Sequence, residues 1–167
     1  LYGDQITIRA VKIYQDGALG SRGAALIDDY SDDEGNKGLL TNSPQKTMEL
    51  AKMASDAGFQ ICTHAIGDRA NRIVLDNYGE LSGDNGYVSL KRARHRIEHA
   101  QVISLQDIPR FHAMGVIASM QPTHATSDMR WAKARLGEKR LAGAYAWQSL
   151  KKSGASLAFG SDFPVEP

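Results

Sequence analysis

The strongest constraint on this chain is an alternation. Short runs of branched and small apolar residues take turns with stretches of helical periodicity along most of the 167 residues. ITIRAVKI (6–13) is β-like. Residues 14–43 read as one long loop carrying Gly17, Gly20, Gly23, Gly35, Gly38 and the acidic stretch DDYSDDEG. A loop of that length inside a compact domain is usually functional. Ser43 followed by Pro44 offers an N-cap and a first-turn proline. Met48, Ala51 and Ala54 then recur at helical spacing up to Gly58. GFQICTH is a second strand. Asp68 is a candidate cap for the next helix, with Ala70, Ile73, Val74 and Asn77 on one face, before a turn-rich break at LSGDNG. ARHRIEHA is a third strand, followed by a short helix near 105–113 that starts around Pro109. GVIASMQ is a fourth strand. A polar loop with Trp131 leads to a helix expected near 138–152, ended by Gly154, and ASLAFGSD is a fifth strand. This βαβαβαβαβ order predicts an α/β fold with a parallel sheet and crossover helices.

Strand parity favours a closed barrel over an open sheet. In the fifth run Ser156, Ala158, Gly160 and Asp162 share one face, and Leu157 and Phe159 the other. In the second, Gln60, Cys62 and His64 oppose Phe59 and Ile61. Small or polar residues would then face a barrel interior and bulky ones the helices. The third run breaks this rule: counting back from His99 sends Arg94, Arg96 and Glu98 towards the helices. A bulge, or a strand ending at Glu98, would repair it.

A net charge of +1 argues against nucleic acid or a membrane surface as partner, leaving a small-molecule substrate. No apolar run approaches the roughly 18–20 residues needed to span a bilayer. The single Cys62 rules out an internal disulfide and fits a reducing, cytoplasmic setting. The chain opens at Leu1 almost directly into a strand and stops at Pro167 just after GSDFPVEP. The expected reading is that residues 1–167 are the C-terminal portion of a catalytic barrel domain cut at both ends. Two open sheet edges would then favour association, so a homo-oligomer is expected.

Lys12, His64, His99 and Asp162 each close one of the strand-like runs. Parallel barrels carry their chemistry at the C-terminal ends of their strands. Neutral imidazoles and a carboxylate suit a divalent metal such as Zn²⁺, which acidifies bound water and polarises a carbonyl. Asp162 is placed to take a proton from that water and pass it to a leaving group. A lysine carbamylated by CO₂ would be an anionic oxygen ligand, which would explain Lys12 among histidines. Singly, each has a blander reading: a hydrogen-bonding His, an ion-paired Lys, an Asp capping a helix. Together, in order, they favour the metal. His124 in QPTH is a candidate substrate contact, and so is Arg22 in GALGSRG, for which an ion pair is equally plausible. His95 and His112 read as structural, Cys62 as interior packing, and Asp68 and Arg69 as helix-starting residues. The glycine spacing matches no phosphate loop, and the acidic stretch 28–34 lacks EF-hand spacing.

VKIYQDGALGSRGAAL, THAIGDRA, HRIEHAQ, MQPTH and AFGSDFPVEP together resemble the amidohydrolase superfamily. The branch they match is amidohydrolase family 3, which includes N-substituted formamide deformylase-like and YtcJ-like proteins. The resemblance covers nearly the whole chain. It implies a partial (β/α)8 TIM barrel of the metal-dependent hydrolase type, spanning barrel strands 4 to 8 and holding one or two metals. It implies that Lys12 is the carboxylated strand-4 lysine, that His64 and His99 are the strand-5 and strand-6 ligands, and that Asp162 is the strand-8 ligand and general base. The family's His-x-His motif occurs nowhere in this sequence. The first three strands and the small β-rich domain are therefore expected to lie outside it, and this polypeptide alone is expected to bind metal weakly and be inactive. The activity implied is hydrolysis of carbon–nitrogen bonds in amide or formamide-type substrates. Two other readings stay open: a Schiff-base barrel enzyme with Lys12 as nucleophile, and a non-catalytic scaffold.

Overall fold

The computed structural model describes residues 5–83 and 86–166. Leu1, Pro167 and the middle of LSGDNG, at 84 and 85, lie outside the described residues.

Five strands, β1 (Ala10–Tyr14), β2 (Gln60–Ala65), β3 (Arg96–His99), β4 (Ile117–Met120) and β5 (Leu157–Phe159), form one sheet in the order of the chain. Every neighbouring pair is parallel. Parallel neighbours need crossovers, and helices supply them: α1 (Pro44–Asp56), α2 (Asp68–Glu80), α3 (Tyr87–Ala93), α4 (Ile108–Met114), α5 (Pro122–Asp128), α6 (Ala132–Leu141) and α7 (Trp147–Lys152). This is the expected α/β architecture, a run of consecutive strand-and-helix units of the (β/α)8 type. No helix among the described residues is long and apolar enough to cross a membrane.

Register shows which face is which. Lys12, Cys62, Arg96 and Ile117 stand in one row across the sheet, and Tyr14, His64, Glu98, Ser119 and Ala158 in the next. These rows share the face turned away from the helix-packed core, the concave side in a sheet of the barrel type. The opposite face carries Ile13, Ile61, Ala65, Ile97, Ala118 and Met120, which join Ala51, Val74, Tyr78, Phe111 and Leu150 from the helices in one buried core. In β2 and β5 this is the parity the sequence predicts; Tyr14 of β1 and Ile117 of β4 are bulky residues on the small-or-polar side.

The third strand is where that parity needs its repair. Arg96 and Glu98 pair in register with Cys62 and His64, so they point to the concave face and bond to each other there (Arg96 Nε to Glu98 Oε1, 2.7 Å). His99 would follow Ile97 to the helix side if the pleat continued. It does not continue: His99 and Ala100 adopt φ values of 72° and 44°, in the left-handed region. The chain breaks its pleat at the residue whose side chain must change sides.

The helices differ in detail from expectation. Ser43 caps α1, its Oγ accepting from Lys46 N at 3.1 Å. α2 is capped by Gly67 rather than Asp68; the Asp68 carboxylate instead accepts from Ile27 N at 2.8 Å, tying down the long loop. The buried residues of α2 are Asp68, Ala70, Asn71, Val74, Leu75, Asn77 and Tyr78, with Ile73 of the expected face only half-buried. The expected helix at 138–152 is two helices, α6 and α7, preceded by α5 where a polar loop was expected. At Gly143 a Cβ would stand 1.9 Å from the Ile103 carbonyl oxygen, and Tyr145 has φ of 49°, so one helix cannot run through. α3 buries only Leu90 and therefore leaves no apolar periodicity to read.

Candidate metal centre

The centre is built where β2 and β3 end. His64, on β2, is 9 % exposed, and His99, closing β3, is 5 % exposed. Their rings meet edge to face with centroids 4.5 Å apart. His124, in the first turn of α5, stacks on His99 at 5.6 Å with the planes 8° apart. On the other side the Tyr14 ring lies 5.2 Å from His64, and Lys12 Nζ sits 4.7 Å from the Tyr14 centroid. A continuous array thus runs from β1 to α5 across the strand ends.

The electrostatics favour neutral rings. Burial holds the His64 imidazole down at about 4, against a hydrogen bond with the Gly17 backbone that pulls it up. His99 is held at about 3 by burial, with His64, His124 and the Lys12 charge adding to the effect and the Gln121 side chain opposing it. A neutral imidazole carries one lone-pair nitrogen. Three ring nitrogens of the array, His64 Nε2, His99 Nδ1 and His124 Nε2, are buried without a hydrogen-bond partner. Buried polar atoms are ordinarily satisfied; here three orphans lie in contiguous rings, while a fourth histidine orphan, His95 Nε2, lies outside the array.

Asp162, just past β5, is exposed. It has φ of 59°, the second strand-end residue of the predicted set in a left-handed conformation. Such backbones cost of order 1–3 kcal/mol and cluster at functional sites. Its charge reaches His64, where it favours the protonated ring. Among the described residues no three His, Cys, Asp or Glu side chains stand close enough to hold an ion as they are. The donor set nevertheless fits a divalent metal in kind: two neutral imidazoles, a nearby carboxylate and unsatisfied ring nitrogens.

Arg22 does not join this array by any described contact. Its guanidinium forks onto Asp32, Nε and Nη2 each 3.1 Å from a carboxylate oxygen, with Asp33 at 3.7 Å. The ion-pair reading is the one the geometry favours, and the substrate-contact reading of Arg22 has no observation behind it. His124 is brought to the centre, where Nε2 stands 3.8 Å from Glu166. A cavity of about 210 Å³ beside it is lined by Leu19, Ile66, Gln101, Asp128 and Trp131. His95 and His112 lie outside the array, as expected: His95 Nδ1 accepts from Ile61 N, and His112 Nδ1 bonds the Gly154 carbonyl.

Sequence reasoning passed over Asp16, Tyr14 and Gln121. Asp16 is 1 % exposed and accepts three backbone N–H bonds, from Ala25, Ile66 and Gly67. Burial pushes its carboxyl up to about 7, while those donors pull it down. The signal was its place, directly after the first strand; a lone Asp before Gly reads as an ordinary turn residue.

The parallel sheet gathers two imidazoles at the carboxyl ends of adjacent strands, the place where parallel barrels carry their chemistry. The chain belongs to the amidohydrolase family, whose profile matches residues 2–167. It is 38 % identical to "Protein LONG AFTER FAR-RED 3" of Arabidopsis thaliana over 156 residues, 93 % of this chain and 26 % of that one. It is 36 % identical to "Putative amidohydrolase YtcJ" of Bacillus subtilis (strain 168) over its whole length and 30 % of the relative's. Among solved structures, an uncharacterized metal-dependent hydrolase from Pyrococcus horikoshii superposes on all of this chain and 32 % of its own, with a TM-score of 0.86 and 34 % identity. The chain therefore spans between a quarter and a third of the length of these relatives.

Proposed function

We propose that this chain forms part of the catalytic barrel of a metal-dependent hydrolase acting on carbon–nitrogen bonds in amide or formamide-type small molecules. The observation that carries this reading is the pair His64 and His99: neutral, buried, in contact, and leaving buried ring nitrogens unpartnered at adjacent strand ends. Relatives named as amidohydrolase and as metal-dependent hydrolase support it.

His64, His99 and Asp162 would hold the metal, with Lys12 as a CO₂-derived carbamate completing the anionic side. Imidazole and carboxylate donors favour zinc, as one ion or two. When bound, the metal supplies Lewis acidity towards a carbonyl oxygen and acidifies a water. Asp162, exposed at the end of β5, receives the proton of the attacking water and returns it to the departing nitrogen. The stacked pair His99 and His124 walls the reacting carbonyl, and the cavity beside His124 receives an adjoining apolar substituent. In intact protein, Asp162→Asn keeps the size and removes the basicity, so kcat on a cleaved amide should fall at least ~10²-fold. Near-normal kcat with metal retained would contradict the role given to Asp162.

A further inference from the structure

At the other end of the sheet, where β2 and β3 begin, lies a cavity of about 360 Å³. Small-molecule pockets run from roughly 300 to 1,000 Å³. Its lining includes Arg9, Arg92 and Arg94, with Ser55, Gln60 and His95, and no Asp or Glu. The whole chain carries 20 basic and 19 acidic side chains. Three of one sign and none of the other around one cavity is a local departure from that balance. All three arginines are exposed. The ion pairs among the described residues engage Arg22, Arg72, Arg96, Arg110 and Arg135, and none of these three.

His95 is the buried part of the wall, 1 % exposed. Its Nδ1 accepts from Ile61 N at 3.1 Å, and burial keeps the ring neutral, with its pKa at about 4. With Nδ1 accepting, the one proton of the neutral ring sits on Nε2. Nε2 is buried without a partner. A buried N–H thus lacks an acceptor, on a wall residue of a cavity that holds no acidic side chain.

The backbone departs from habit at the same place. α1, α4 and α7 are followed by Gly58, Gly115 and Gly154, with φ of 79°, 70° and 87°. At the end of α3 it is Arg94 that takes this conformation, with φ of 55°. Glycine holds it at less cost. Gln60 Nε2 donates to the Arg94 carbonyl and holds that backbone to the start of β2. Basic side chains at the end of a helix complement its dipole, which accounts for the charge on Arg92 and Arg94. It does not account for Arg9, for the missing acids or for the His95 N–H.

We propose that this cavity is a binding site for a phosphate group, with Arg9, Arg92 and Arg94 supplying charge and His95 Nε2–H a buried neutral donor. Guanidinium groups match the oxygens of a phosphate in pairs, and exposed ones are free to turn onto it. The site is separate from the candidate metal centre and does not depend on it.

The test uses intact protein carrying ¹⁵N-labelled histidine and freed of metal, with His95→Asn identifying the His95 signals. Inorganic phosphate and glycerol phosphate are titrated at constant ionic strength, with chloride as the control. The two arms distinguish the free ion from phosphate carried on an organic molecule, and saturation by either supports the site. The His95 Nε2–H signal should shift saturably with phosphate and not with chloride. Arg92→Gln/Arg94→Gln should weaken that titration at least ~10-fold. A His95 signal that responds no more to phosphate than to chloride would overturn the proposal, and so would an unweakened titration in the folded double variant. If that variant does not fold, the wild-type titration decides by itself.

Discussion

At the scale of single residues, His95 is a histidine whose Nδ1 side has a structural task. His95, 1 % exposed, accepts the Ile61 N–H on Nδ1 at 3.1 Å, and burial holds its pKa at about 4 rather than 6.5. A proton on Nδ1 would turn an acceptor into a donor facing a donor. Because the folded pKa is depressed, the unfolded chain takes the proton first. The stability conferred by neutral His95 is full above pH 6.5 and is lost as pH falls from there towards 4, by on the order of 3 kcal/mol at the acid limit. Urea unfolding across that window should show His95→Asn, which keeps an acceptor but cannot titrate, with a shallower acid slope than wild type. An unchanged slope would contradict the assignment. Residue identity singled out Lys12, His64, His99 and Asp162, of which the structure brings His64 and His99 into contact. The left-handed backbones at His99 and Asp162 were not legible, because nothing in the identity of a histidine or an aspartate requires φ above zero. Asp16 was hidden for a related reason: its importance lies in three backbone partners, two of them fifty residues away.

At the scale of elements, the five strands and the helices with a clear buried stripe were readable from apolar periodicity. α3 and the break between α6 and α7 were not, since one buries a single residue and the other is set by the approach of Gly143 to Ile103. The head of α2 shows how tightly the end of a strand can be tied. Gly67 donates to Asp16, and a Cβ there would stand 2.0 Å from the Ala25 carbonyl oxygen, a separation that neither backbone can keep. Gly67→Ala should therefore push the long loop away from the end of β2, costing about 1–3 kcal/mol and disturbing the His64 environment. Thermal unfolding with histidine NMR would check both. A variant of wild-type stability with unshifted His64 signals would mean that this contact is not a constraint.

At the scale of the whole molecule, β1 and β5 each pair on one side only among the described residues. Of the four residues that the sequence singled out, His64 and His99 stand at the ends of β2 and β3, whereas Lys12 lies in the middle of β1 and Asp162 three residues past β5. Parity is readable in β2 and β5 because a period of two leaves little freedom once one face is buried; in β3 it fails at the one residue that leaves the pleat. The central claim is that His64 and His99 are metal ligands in the intact protein. Elemental analysis of purified protein, wild type against the His64→Ala/His99→Ala double variant, tests it most directly, with circular dichroism to confirm that both are folded. The account predicts bound divalent metal in the wild type and its loss in the double variant. Equal metal content in the two folded proteins would contradict it.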